Sequence, residues 1–404
     1  MERQVRSGIM TPVRGLMTRE ERLNPFPFFR HMRETSPVRY DHDRDSWDVF
    51  RYEDVYRVLS DHETFSSNRD ALHPGKAESA SLIDMDPPQH TKYRNIVSRA
   101  FTPKRVADLA PRIEQITAEL LDKIAGKGEA QLIKDVAGPL PVIVIAEILG
   151  IPAKDRHLFK EWSDKLVESA AVQNTEADQA LMMEKNRVSQ ELYAYFTEQL
   201  AARRANPGDD LLSVLLAAEV EGERLNEQQL LSFCLLLLVA GNETTTNLIT
   251  NAIRAFAEQP ELQTRLRENP GLMPGAVEEA LRYYSPVASI PSRFATKEAE
   301  LGGQLIKKGD QVVAWVGSAN RDEAKFPHPD QFIVDRKPNN HLAFGWGPHF
   351  CLGAPLARLE GQIALQAILK RLANIRLQAG SELQPVTSTV VFAVQELPIA
   401  FETI

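Results

Sequence analysis

The chain has 404 residues, 43% hydrophobic and 25% charged, which is enough apolar material for a large core and too even a mixture for a disordered or fibrous protein. Its formal charge of -8, from 47 Lys and Arg against 55 Asp and Glu, leaves no cationic excess for holding a polyanion, so nucleic acid is not an expected partner. Only two cysteines occur, Cys234 and Cys351, which excludes a disulfide framework and a multi-cysteine zinc or iron-sulfur site within this chain and fits a cytoplasmic location.

The first residues carry charges in every window and no apolar run of about 7 to 15 residues, so they do not read as a secretory signal. Alternating text at Val38-Tyr40 and Trp47-Phe50, around the turn-rich Asp41 to Ser46, predicts a hairpin, and a short helix follows from about Asp54 to Ser60. Ser66 to Ile83, rich in small and polar residues, predicts a long loop of the functional kind. From Asp84 the chain is mostly helical to about Pro286, broken at Pro87-Pro88, Pro103, Gly126-Gly128, Pro152, Pro207-Gly208, Gly222 and Pro260. The most apolar stretches, Val142 to Leu149 and Phe233 to Ala240, are well short of the roughly 20 residues that cross a bilayer and predict buried core helices. Beyond Pro286 come strand-like runs at Ile290-Ala295 and Gln311-Val316, an irregular stretch from Asn320 to Asn340, a helix from about Ala354 to Ala373, and a terminal hairpin region. Helices in the first two-thirds with small β elements at both ends predict a mainly α, α+β class. Length suggests two or three domains at roughly 100 to 200 residues each, yet no Gly/Ser/Pro linker divides the chain.

Four motifs bear chemistry. The densest is Phe344-Gly345-Trp346-Gly347-Pro348-His349-Phe350-Cys351-Leu352-Gly353, running into Ala354-Pro355-Leu356-Ala357-Arg358. The second, Val239-Ala240-Gly241-Asn242-Glu243-Thr244-Thr245-Thr246, lies in a long apolar helix from about Asn226 to Phe256. A glycine followed by three β-branched threonines is poor for a helix interior, and such a local contradiction often marks a functional site. The third is Glu279-Ala280-Leu281-Arg282, a spacing that Glu184/Arg187 and Glu221/Arg224 share and that is common on exposed helices. The fourth is Asp86-Pro87-Pro88-Gln89-His90-Thr91-Lys92-Tyr93-Arg94, in which His90 and Arg94 lie one helical turn apart. Each also has a bland reading: a buried cysteine, a core helix with a polar patch, a surface ion pair, and cations near a helix start.

Six of the first ten residues named, Phe344, Gly345, Gly347, His349, Cys351 and Gly353, match the haem-binding loop of the cytochrome P450 monooxygenases. The sequence resembles that family, and its soluble bacterial members in particular, from about Pro25 to the end, with all four motifs in the family's order. The resemblance implies an N-terminal extension over residues 1–24 and one large P450 domain over 25–404, folded around a buried haem b with Cys351 as the axial iron ligand. The loop's physics agrees, because glycines at 345, 347 and 353 let the main chain approach a flat ligand, and a helix starting after Cys351 would lower the thiol pKa. Thiolate ligation favours cleavage of the oxygen-oxygen bond, which suits a monooxygenase. By resemblance Ala240 and Gly241 leave room for oxygen, and Glu243 with Thr244 forms the acid-alcohol pair that delivers protons. The resemblance also implies that Glu279 and Arg282 lock the irregular stretch that supports the cysteine loop, and that His90, Arg94, Arg293 and His349 hold the haem carboxylates.

The implied reaction inserts one oxygen atom of O2 into a carbon-hydrogen bond, or across a double bond, of a hydrophobic molecule such as a fatty acid, terpenoid or steroid. Electrons come ultimately from NAD(P)H through a separate ferredoxin or flavodoxin and its reductase. Arg99, Lys104, Arg105 and Lys92 are the candidate docking patch for that partner. Family topology puts the substrate wall in the loop from Ser66 to Ile83 and at Leu236, Val239, Ala240, Val287, Ala288, Ile290, Val391 and Phe392. A monomer with no membrane contact is expected. A peroxide-driven peroxygenase, the family's nitric oxide reductases and a haem sensor or electron carrier are the rivals, and Glu243-Thr244 speaks against all three.

Overall fold

The alternation at residues 38–50 forms the expected hairpin, with β1 (Val38–Asp41) antiparallel to β2 (Ser46–Val49) and Val38 opposite Val49. The structure, a computed structural model, describes residues 13–68, 80–99, 101–167 and 176–404. Its other strands are β3 (Phe65–Ser66), β4 (Glu129–Gln131), β5 (Ile290–Ala295), β6 (Ala299–Leu301), β7 (Gln304–Ile306), β8 (Gln311–Ala314), β9 (Leu372–Leu377) and β10 (Pro398–Thr403). One sheet has the order β1-β2-β8-β5-β3, in which β2 and β8 run parallel and the other pairs antiparallel. A second has the order β4-β10-β9, and β6 pairs with β7 alone.

The terminal hairpin region takes a different form from the one expected. β9 follows directly on the helix Ala354–Arg371, and its partner β10 is separated from it by residues 378–397; β4, from the stretch read as a helix break at Gly126-Gly128, completes the sheet on the far side of β10. The short helix after the first hairpin starts at Tyr52 rather than Asp54, because the Tyr52 N–H is capped by the distant Asp322 carboxylate at 2.8 Å.

The long apolar helix runs over Glu227–Glu258 and is capped locally: Asn226 Oδ1 accepts from the Gln229 N–H at 2.9 Å while Gln229 Oε1 accepts from the Asn226 N–H at 2.7 Å. It links two cores. Leu248, Ile249, Ala252, Ile253 and Phe256 pack with the helices Ala110–Asp122, Met273–Tyr283 and Ala354–Arg371. Leu230, Phe233, Cys234 and Leu238 pack with the helices Pro139–Ile148, Arg156–Val167 and Glu176–Ala205. Val239 to Thr244 lie between and belong to neither cluster. Close approach of Gly361 to the long helix, where an added Cβ would sit 3.1 Å from Leu248, sets the helix Ala354–Arg371 against it just past the threonines.

The irregular stretch from Asn320 to Asn340 is held from beneath by a fully buried ion pair. Arg282 uses Nε and one Nη on Glu279 (2.9 and 2.7 Å) and donates to the carbonyls of Asn320, Pro329 and Gln331 at 2.8–3.0 Å. Glu279 in turn accepts from the Ile333 N–H, from Arg336 and from Asn339. Neither member is left uncompensated, the condition under which a buried pair is sustainable. Of the residues read as an N-terminal extension, 13–24 are described; they carry the helix Arg19–Leu23, and Val13 is buried against Phe29, Phe50 and Trp315. No helix among the described residues is long and apolar enough to cross a membrane.

Candidate active site

The cysteine loop is shaped by its glycines. Gly345 and Gly347 have φ of +69° and +70°, and a Cβ on Gly347 would come within 2.9 Å of the Leu59 carbonyl. Gly345 N–H donates to the Leu342 carbonyl and Cys351 N–H to the Phe344 carbonyl, both at 2.8 Å, which closes the loop just before the helix Ala354–Arg371. Arg94 braces it from outside, donating to the carbonyls of Pro348 at 3.1 Å and Phe350 at 2.5 Å.

The Cys351 sulfur is accessible, yet protein surrounds it closely enough that burial dominates its titration and pushes the thiol up. The N–H groups of Gly353 and Ala354 and the charges of Arg94 and Arg358 oppose that rise without reversing it. Sequence logic anticipated the pull of the helix start but not the larger desolvation. Coordination to a metal deprotonates a thiol outright, so the two effects do not conflict in a metal-bound site. Cys234 is buried core, as expected from its neighbours.

Beside the loop, four basic side chains from three distant segments converge. The His90 and His349 rings are 4.3 Å apart, and Arg94 and Arg293 lie close enough to both to disfavour their protonation. Burial first, then these neighbouring cations, lower His90 to about 4 and His349 to about 3, and burial lowers Arg293 to about 10. Nε2 of His90 is buried without a hydrogen-bond partner, whereas Nε2 of His349 meets Ser67 Oγ at 3.0 Å. Two buried guanidiniums gathered around neutral imidazoles, one with an orphaned nitrogen, call for an anion, and a ligand bearing two carboxylates fits them.

On the long helix, Thr244 donates its hydroxyl to the Ala240 carbonyl at 2.7 Å, leaving Oγ1 as an acceptor. Burial raises the Glu243 carboxyl, with the Lys185 charge partly offsetting the effect. Lys185 was not legible as a neighbour, because it comes from the helix Glu176–Ala205. Of the wall residues, Val239, Val287 and Val391 are partly accessible, Ala240 is exposed, and none joins a core cluster; a bridge sets Val287 beside Val391. Leu236 packs on the core around Phe233, Ala288 is buried under Gly317, and Ile290 packs on the sheet core. Phe392 is placed elsewhere, its ring stacked on Tyr284 at 5.4 Å and tilted against Phe26 at 5.8 Å. Residues 69–79 of the loop from Ser66 to Ile83 lie outside the described residues. In the candidate docking patch, Lys92 pairs with Glu223 at 2.7 Å and Arg99 donates to the Glu219 carbonyl, while Lys104 and Arg105 are exposed.

A thiol at the start of a helix, an unmet demand for anions beside it and a Gly-Thr segment between two cores define a protein built around a large anionic cofactor. The chain belongs to the cytochrome P450 family, matching the family described as Cytochrome P450 over residues 39–270 and 271–402. It is 49% identical over 391 residues to Cytochrome P450 109 of Bacillus spizizenii, covering 96% of this chain and 95% of that one. Among solved structures, substrate-free CYP109E1 from Bacillus megaterium superposes with a TM-score of 0.90 at 42% identity, covering 95% of this chain and 100% of that one. The same Bacillus protein in complex with testosterone gives a TM-score of 0.88 at 43% identity, over 95% of this chain and 99% of that one. The chain is thus a P450 monooxygenase using haem b, O2 and electrons derived from NAD(P)H through partner proteins.

Proposed function

We propose that the chain hydroxylates or epoxidises a hydrophobic molecule of steroid-like size, with Cys351 as the axial ligand of its haem and with Arg94, Arg293, His90 and His349 around the haem carboxylates. The observation that carries this reading is the orphaned Nε2 of His90, buried among cations beside the accessible Cys351 sulfur. When bound, the haem supplies the activation of O2 and the transfer of one oxygen atom to the substrate.

The chain's own residues do the rest. Gly353 and Ala354 direct N–H groups at the sulfur and temper its charge. Glu243, raised by burial, keeps a proton nearer to neutral pH than an exposed carboxyl would, and Thr244 Oγ1 next to it is placed to pass that proton on. Val239, Ala240, Val287 and Val391 form an apolar wall that favours uncharged, weakly polar substrates. The complexes of CYP109E1 with testosterone and corticosterone support a steroid as the first class to try. The redox partner is a ferredoxin or flavodoxin, and with Lys92 and Arg99 engaged by the segment 219–223, the exposed Lys104 and Arg105 are the cations of the patch best placed to meet its acidic face.

The test is Cys351→Ser. The variant should lose the strongly red-shifted Soret band of the reduced carbon monoxide complex, and retention of that band would overturn ligation by Cys351.

A further inference from the structure

The four basic groups at the cofactor site come from three separate parts of the chain, two of which Arg94 already joins through the Pro348 and Phe350 carbonyls. His90 and Arg94 are on the helix Gln89–Ser98, Arg293 is on β5 and His349 is in the cysteine loop. The Arg94 and Arg293 charges repel each other and hold both imidazoles neutral, an effect that burial strengthens. One carboxylate works in the opposite direction: Asp86 favours the charged forms of both His90 and Arg293.

Asp86 also has a geometry that its own helix does not explain. Its backbone carbonyl accepts from the His90 N–H at 2.9 Å, but its carboxylate caps no N–H of that helix. The carboxylate turns to the end of β3 instead, where Oδ1 accepts from the Ser67 N–H at 2.9 Å and Oδ2 from the Ser66 hydroxyl. Ser66 and Ser67 are 2% and 1% exposed, so these bonds are shielded from water. Ser66 is paired with Phe294, the residue after Arg293, across the β3–β5 ladder. The Ser67 hydroxyl meets His349 Nε2 at 3.0 Å. One carboxylate therefore touches or reaches, through a single serine, every segment that bears a basic group of the site.

We propose that Asp86 is a positioning residue for the cofactor: its carboxylate ties the end of β3 to the helix of His90 and Arg94, and through the Ser67 hydroxyl it orients His349 and with it the cysteine loop. The proposal rests on the reading that these basic groups receive the haem carboxylates. Asp86 has two separable effects. As an acceptor it fixes the two serines; as a negative charge felt by His90 and Arg293, the groups that would hold the haem carboxylates, it would disfavour adding an electron to a bound haem.

Four variants of the haem-loaded protein test it: Asp86→Ala, Asp86→Asn, Ser67→Ala and the double variant Asp86→Ala/Ser67→Ala. Haem release is followed by transfer to excess apomyoglobin, and the midpoint potential by redox titration. Asp86→Ala should release haem about tenfold faster or more, the scale of a lost buried hydrogen-bond acceptor. Ser67→Ala should show part of that acceleration, and the double variant should be no faster than Asp86→Ala, since both act along one chain of contacts. Asp86→Asn keeps an acceptor for the Ser67 N–H, so it should release haem more slowly than Asp86→Ala while its potential moves to more positive values. A purely structural residue would not shift the potential in a variant of unchanged melting temperature. Wild-type release by Asp86→Ala, or additive effects of the two substitutions, would overturn the proposal. Should Asp86→Ala fail to fold, wild-type release by Ser67→Ala together with an unshifted potential in Asp86→Asn does the same. Failure of the underlying reading shows separately, in a wild-type protein that binds no haem or lacks the red-shifted band.

Discussion

Glu360 makes the sharpest thermodynamic prediction. It lies on the helix Ala354–Arg371, 2% exposed, with Oε2 buried and without a hydrogen-bond partner. Burial alone raises its carboxyl from 4.5 to about 8. Between those values the folded chain holds a proton that the unfolded chain has lost, so stability falls as pH rises through the window from 4.5 to about 8. At pH 7 the folded form remains neutral while an exposed Glu is ionised; the 2.5 units separating 4.5 from 7, at about 1.36 kcal/mol each, give a penalty of about 3 kcal/mol relative to pH 4.5. Glu360→Gln cannot ionise and escapes it. With an unfolding entropy of about 2.1 cal/mol/K per residue, or roughly 0.8 kcal/mol/K for the whole chain, the variant should melt about 4 °C above wild type at pH 7. The gap should close towards pH 5. Calorimetric melts of the two proteins from pH 5 to 8 measure it, and curves that stay parallel across that range would refute a buried, uncompensated carboxyl at position 360.

Two further substitutions probe the site and its support. Arg282→Lys keeps the charge but strips donors from Glu279 and from the carbonyls of Asn320, Pro329 and Gln331, so it should cost about 3–5 kcal/mol, read as a lower urea midpoint. Thr244→Ala removes the hydroxyl beside Glu243. Substrate-dependent oxidation of NAD(P)H should continue while product formed per NAD(P)H falls about tenfold or more, measured by comparing the two rates, and unchanged coupling would remove Thr244 from proton delivery.

What the sequence discloses depends on how local the cause is. The hairpin at 38–49 and the start of the long helix rest on neighbours a few residues apart, an alternating pattern and an Asn-Gln capping box, and both are legible. In the β4-β10-β9 sheet β10 pairs with β4 from far back in the chain and with β9 across the intervening residues 378–397, and three-residue strands such as β4 leave no periodic trace. The basic residues of the site can be picked out by motif, but what organises them cannot: Ser66 and Ser67 sit in text that reads only as a polar loop, and their link to Asp86 and His349 exists only in the fold. Phe392 follows from the alternation of an extended segment. Neighbours in an extended segment point to opposite sides, so with Val391 bridged to Val287, Phe392 turns into the Tyr284 and Phe26 stack.

The long helix is clamped at both ends by separate cores, and of the six residues from Val239 to Thr244 between the clamps only Asn242, bonded to Ser163, is buried. On the function proposed above, chemistry and substrate choice fall on a span that belongs to neither hydrophobic cluster. Exchanges among small apolar residues at Val239 or Ala240 reshape the wall without loosening either anchorage, so this enzyme can drift towards new substrates along that span at small cost to its folding.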